Sequence, residues 1–142
     1  SVGGSAQQKF CESGVRTPNL GIADSGLAGA VSDTLSMACD IQAIEFIEVR
    51  FTADHTYSGD LQIDLISPNG LQSQLANARL CVDDPFVERP TVIDCGQYDD
   101  WRFGSVRHLN EPAAGNWTLR VADLQLGDSG VFRSWQLRIW GR

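Results

Sequence analysis

The sequence predicts an all-β protein, a sandwich of two packed sheets with about eight mostly antiparallel strands in the manner of a jelly roll. Three observations predict it. Apolar residues recur at every second position in four separate segments, the period of a strand with one wet face. Helical periodicity is weak throughout. Clusters of Gly, Asn, Asp and Pro separate the alternating segments at fairly regular spacing.

The elements follow in order. Residues 1–21 are small and polar, and are expected as an extension or linker that wraps the surface, tied down by Cys11. Residues 22–142 are expected to form the folded unit. Strand texture begins near Asp33. Ile47, Val49 and Phe51 alternate with Glu48 and Arg50, and Leu61, Ile63 and Leu65 alternate with Gln62 and Asp64. Ser67-Pro68-Asn69-Gly70 supplies a tight turn, because Pro presets φ and Asn-Gly accepts positive φ. Leu71 to Leu75 reads as the returning strand. Residues 81–102 carry Pro85, Pro90 and many acids, and are expected as an irregular, disulfide-bounded surface loop that includes Trp101. Trp117, Leu119 and Val121 alternate with Thr118 and Arg120. Trp135, Leu137 and Ile139 alternate with Gln136 and Arg138. Trp140 falls out of phase with that last set, so it should face away from the core.

A chain of 142 residues suits one domain. No apolar run approaches the roughly 18 residues of a membrane span. Ser1-Val2-Gly3-Gly4-Ser5 has no basic segment leading into an apolar one, which reads as a mature fragment rather than a signal peptide. The net charge of −7 sets 18 acids against 11 bases. Lys9 is the one lysine, and the arginines are scattered. That excludes the dense basic surface needed by nucleic acid, and equally an anionic membrane partner. Four cysteines, Cys11, Cys39, Cys81 and Cys95, include no C-x-x-C pair and permit three disulfide pairings. Cys11–Cys39 and Cys81–Cys95 are preferred because each closes a local loop without crossing the other. Disulfides place the chain in an oxidising compartment, and so among secreted proteins.

Several constellations carry chemistry on paper. Gly127-Asp128-Ser129-Gly130 and Thr52-Ala53-Asp54-His55 mimic segments of chymotrypsin-like proteases. The chain is too short for that fold, and the His–Ser spacing is wrong for it. His55 and His108 lack the spacing of a zinc hydrolase, and His108 is expected as a surface or loop histidine. Asn116-Trp117-Thr118 has glycosylation spacing, but a core Trp117 should bury its surroundings, so no modification is expected. Calcium is the one ligand with support. Thirteen aspartates stand against five glutamates. Asp60 opens one strand, Asp123 closes another, Asp128 follows in the next loop, and Asp24 can join from the N-terminal side. Loops of a sandwich gather at its ends, and Ca²⁺ takes hard oxygens from separated loops. Asp83, Asp84, Asp94, Asp99 and Asp100 form a second candidate group.

Four segments taken together resemble the P domain (Homo B domain) of kexin- and furin-like proteases. They are His55-Thr56-Tyr57-Ser58-Gly59-Asp60-Leu61; Ser67 to Gly70; Gly115-Asn116-Trp117-Thr118-Leu119-Arg120-Val121-Ala122-Asp123; and Gly127 to Gly130 followed by Trp135. Ile22-Ala23-Asp24, Glu111-Pro112-Ala113-Ala114 and Trp135 to Gly141 extend the resemblance over residues 22–141. It implies a β jelly roll and a non-catalytic, monomeric accessory module. Such a module packs beside a secreted subtilisin-like serine protease, or in some bacteria a metalloprotease, and supports its folding, stability or calcium response. Leu109-Asn110-Glu111 stands where eukaryotic convertases have Trp-Gly-Glu, which points to a bacterial relative. The partner should meet an aromatic patch with a polar rim. Trp140 and Trp101 are the candidate contacts, with cover by the N-terminal segment as the alternative for Trp140. The rival reading is a module that holds an enzyme on its substrate, whether protein, collagen or polysaccharide, through exposed aromatics.

Overall fold

The computed structural model describes residues 8–22, 29–55, 61–76, 81, 82, 92, 93, 98–123 and 130–142. Eleven strands lie among them: β1 (Lys9–Glu12), β2 (Leu20–Ile22), β3 (Val31–Met37), β4 (Ile44–His55), β5 (Leu61–Ile66), β6 (Gln72–Ala76), β7 (Cys81–Val82), β8 (Val92–Ile93), β9 (Tyr98–Ser105), β10 (Gly115–Asp123) and β11 (Gly130–Gly141). Sheet A runs β1-β11-β4-β9, with β2 also on β11, and sheet B runs β3-β10-β5-β6. Each strand of one sheet has a chain neighbour in the other: β2 with β3, β4 with β5, β6 with β9, and β10 with β11. That winding is the jelly roll. Counting β1 and β2 as one position gives the eight places expected in the two sheets, β7 and β8 pair apart as a two-stranded ribbon within the expected 81–102 loop, and all described pairings are antiparallel.

The alternation read from the sequence is what closes the two sheets. Ile47, Val49 and Phe51 meet Leu61, Ile63, Leu65, Trp117, Leu119, Val121, Trp135, Leu137 and Ile139 in one core, all nearly or fully buried. Each such aliphatic side chain contributes about 1.5–3 kcal/mol by leaving water. The expected tight turn forms between β5 and β6. Gly70 N donates to Ser67 O at 2.9 Å and Leu71 N to Ser67 Oγ at 3.1 Å, while Gly70 takes φ +85°.

Two expectations are corrected. Residues 98–102 are not loop. They begin β9, the edge strand of sheet A, and Trp101 sits opposite Phe51 in its ladder. A register shift opposite Thr52 disguised this strand. There Asp100 adopts φ 50°, its N–H bonds Thr52 Oγ1, and its carboxylate takes a two-pronged bond from Arg50. Short Asp side chains tolerate that left-handed conformation. Residues 8–22 do more than wrap the surface. β1, β2 and an isolated bridge from Arg16 to Trp135 all anneal to β11.

Asp33 seals the β3 edge. Its carboxylate accepts Arg16 Nε and Nη2 at 2.9 and 2.8 Å, and the indole N–H of buried Trp135 at 2.8 Å. The Arg16 guanidinium holds this carboxyl below the usual carboxylate range, against an opposing push from burial. Asp33→Ala is expected to cost about 2 kcal/mol in urea unfolding at pH 7, because it orphans a buried indole donor. The contribution needs the ionised acid. It is complete above the unfolded-state pKa and is lost as pH falls toward the lower folded value. Equal stability of Asp33→Ala and the parent at pH 7 would refute it.

Candidate functional site

The outer face of sheet A carries an aromatic row. Phe10 on β1, Trp140 on β11 and Phe46 on β4 are cross-strand neighbours. Their rings stand 4.9 Å (Phe10–Trp140) and 5.7 Å (Phe46–Trp140) apart. Gly104 on β9 makes room for the row, since a β-carbon there would stand 2.8 Å from the Phe46 ring. Val106, just past the end of β9, lines an open groove on the β6–β9 side. Phe10 is 46% exposed, Phe46 37% and Val106 59%, with Leu109 also exposed in the segment that follows. Trp140 faces away from the core, as its phase predicts, and is half-covered with Phe10 against it.

The charges beside the row neutralise one another. Arg138 reaches Glu48 at 3.0 Å and Glu12 at 3.1 Å, with its guanidinium 5.3 Å from the Phe10 ring centre and 5.5 Å from that of Trp140. Lys9 pairs with Asp40, and Arg142 with Glu45, each at 3.1 Å. The result is a contiguous apolar strip with a paired polar rim, the makeup of a protein contact. Trp101 does not join it. It is five residues further along the β4 ladder, about 17 Å away, and points to the other face.

The turn of Ser67 to Gly70 and the segment before β10 form a clasp at one end of the sandwich. Glu111 Oε1 accepts Ser67 Oγ and Asn69 Nδ2, both at 3.2 Å, and Glu111 Oε2 pairs with His108 Nδ1 at 3.0 Å. Gly115, at φ +124°, leaves no room for a side chain, because a β-carbon would stand 2.8 Å from Pro68. Trp117 donates to Ala113 O at 2.8 Å and meets the His108 ring edge-on at 5.2 Å. His108 lies in a turn, as the loop half of the expectation has it, but it is fully buried, which corrects the surface half. Burial pushes its pKa below the ordinary value, with Glu111 pulling the other way. Two of the segments that stood out in the sequence, Ser67 to Gly70 and the one around Glu111 to Trp117, are therefore one packed structural unit. Asn116 lies exposed on the outer face of sheet B, so burial does not shield it.

Of the first group of candidate calcium residues, Asp123 lies among the described residues, and it belongs to the opposite end. Gly130 opens β11 and pairs with both Ile22 and His55, the last residues of β2 and β4. Asp123 closes β10 opposite Leu61, the first residue of β5. Segments 23–28, 56–60 and 124–129 thus all leave strand ends at this one end. Asp123 is fully buried there, with a partner for its side chain. Asp24, Asp60 and Asp128 lie outside the described residues, as do Asp83, Asp84, Asp94, Cys95 and the decoy Ser129. The side chains of Cys81 and Asp99 do so too. Asp100 is committed to Arg50. Among the described residues, Cys11, Cys39 and Asp40 are close enough to hold a metal, but both thiols are spent in the Cys11–Cys39 disulfide, which forms as preferred.

An open groove of about 850 Å³ follows the β6–β9 side of the sandwich. Its lining includes Gln62, Asp64, Gln72, Gln74 and Arg107 but no aromatic platform. Asp64 is buried in its floor and held by Arg120 and Gln62, each at 3.0 Å.

A jelly roll whose described motif residues build structure and which carries an aromatic strip suited to a protein contact has the makeup of an accessory β module. Comparison with known proteins says which. The model of the proprotein convertase P-domain family matches residues 44–139, and the chain belongs to that family. Kexin of Saccharomyces cerevisiae is 30% identical over 111 residues, covering 78% of this chain and 12% of kexin. The transglutaminase-activating metalloprotease of Streptomyces mobaraensis is 29% identical over 121 residues, 85% of this chain and 14% of that protein. The crystal structure of the Aeromonas sobria serine protease in complex with a chaperone superposes with a TM-score of 0.72 at 23% identity, over 94% of this chain and 27% of that one. The chain therefore spans about an eighth of these curated relatives. As a P domain it is an accessory domain of subtilisin-like proteases and not itself the catalytic one.

Proposed function

We propose that this domain supports the folding and stability of an adjacent subtilisin-like serine protease domain in a secreted, bacterial protein, and that it docks through the row of Phe10, Trp140 and Phe46. The observation that carries this reading is the apolar strip with self-paired neighbours. A lipid or nucleic-acid partner would need unpaired cations, whereas an apolar protein surface needs none. Aromatic residues at the centre of such contacts hold most of the affinity, about 2 kcal/mol or more each. In the full-length protease, Trp140→Ala is expected to lower the temperature at which peptide hydrolysis is lost, with no change in the specificity of cleavage. Unchanged inactivation temperatures for both Trp140→Ala and Phe46→Ala would overturn the docking surface. Loss of action on insoluble substrate alone would favour the rival substrate-holding module.

Calcium belongs to this reading. Asp24, Asp60, Asp123 and Asp128 would hold it, supported by the shared end from which their segments leave. A buried carboxylate on a strand end with further aspartates on the joining segments is a donor set that suits a hard cation. Bound calcium would tie these segments together and stabilise the native state only. At a hundredfold excess over Kd, unfolding of the 142-residue chain is expected to cost about 2.7 kcal/mol more than in chelator. An identical thermal midpoint in calcium and in chelator would remove calcium from the account.

A further inference from the structure

We propose that the Cys11–Cys39 disulfide is a latch for β1, so that the docking row is complete only after these two thiols are oxidised. The functional half of this inference rests on the docking reading above. Phe10, one of the three aromatic residues, is supplied by β1, a strand of four residues of which Lys9, Phe10 and Glu12 are exposed. Its ion pairs to Asp40 and Arg138 lie at the surface, where such pairs hold little. The chain just beyond is anchored by other means. Ser13 exchanges backbone and hydroxyl bonds with Leu137 at 2.9 Å, and its carbonyl accepts Gln136 Nε2 at 2.8 Å. Arg16 exchanges bonds with Trp135 at 2.8 and 3.0 Å and grips Asp33, and Ile22 is buried in the core.

The disulfide closes a span of 28 residues onto the connection between β3 and β4. Both cysteines pack against the core, but Cys39 is followed by fully buried Ile41, whereas Cys11 sits in a strand whose other three residues are exposed. Cys11 is the movable end. Opening the bond should therefore free residues 8–12 and leave 13–22 in place, held from Ser13 onward. Closure forms one S–S bond between Cys11 and Cys39. The two thiol protons and two electrons pass to a disulfide oxidant, which leaves as a dithiol.

Hydrogen exchange of the 142-residue chain tests the latch. Cys11→Ser/Cys39→Ser removes this bond alone and leaves Cys81 and Cys95 untouched. Amides of 9–12 are expected to exchange about tenfold faster or more, with 13–22 and β4 as protected as before. Unchanged protection at 9–12 would overturn the latch. Simultaneous loss at 9–22 and in β4 would also overturn it, making the bond a staple of the whole sandwich. In the full-length protease, the double variant and Phe10→Ala are both expected to lower the inactivation temperature in the direction of Trp140→Ala. If Trp140→Ala acts and these two do not, docking stands and the latch's role in it falls. If none of the three acts, the docking reading fails and takes the functional half of the latch with it.

Discussion

Trp117→Ala is expected to lower the free energy of unfolding by about 3–5 kcal/mol, the range for emptying a buried indole site. Small domains hold about 5–15 kcal/mol in total, so the variant should be near the edge of folding at 37 °C. The size follows from position. Trp117 is fully buried on β10, paired with Leu35 of β3, and anchored by its indole N–H to Ala113 O. Its removal takes the edge-on partner from His108 and leaves a void between the clasp and the core. Urea unfolding of Trp117→Phe separates the two losses, because Phe keeps most of the volume and loses the hydrogen bond. A Trp117→Ala variant within 1 kcal/mol of the parent would contradict this account of the core.

Glu111→Ala is the second large effect, at about 3 kcal/mol. One carboxylate satisfies three donors, from Ser67, Asn69 and His108, and two of those residues are buried. Each buried group left without a partner costs about 1–3 kcal/mol. The same substitution changes the response to acid. Burial lowers the His108 pKa below its unfolded value, so the fold favours the neutral ring. The stability this contributes is intact above the unfolded pKa of about 6.5 and falls as pH drops toward the lower folded value, at up to about 1.4 kcal/mol per pH unit. Glu111 raises the folded pKa, so its loss should extend that decline to lower pH. His108→Phe should flatten the profile below pH 6.5. An unchanged slope in His108→Phe would show that this ring is not the group responsible.

Much of this fold was legible because four strands bury one face and wet the other. Ile47 to Phe51, Leu61 to Leu65, Trp117 to Val121 and Trp135 to Ile139 wrote that asymmetry into the chain, and the phase of Trp140 placed it on the outer face. β9 was hidden for a physical reason. Its alternation survives in Trp101 and Phe103, but the register shift at Asp100 broke the period, and the density of acids resembled a loop. The burial of His108 was not legible because a lone histidine in a turn has no period. The signal was Glu111, three residues on, whose partners come from the β5–β6 turn 40 residues earlier and cannot be seen locally. The aromatic row was half legible. Phe10 and Phe46 reach Trp140 only through sheet pairing across the length of the chain, and Trp101, chosen beside Trp140 for its type, lies on the other face.

β11 pairs with β1, β2 and β4, and it is the last strand of the chain. Its neighbours all lie in the first 55 residues, from Lys9 opposite Gly141 to His55 opposite Gly130, so every one of these pairings is distant in sequence. A polypeptide delivered from its N-terminus, by a ribosome or through a secretion pore, cannot complete sheet A until β11, Gly130–Gly141, has emerged. Until then β4 offers one bare edge and the N-terminal strap has nothing to anneal to. Pairings so distant in sequence also form slowly. A chain cut short before Gly130 thus forfeits the centre of sheet A rather than a strand at its rim.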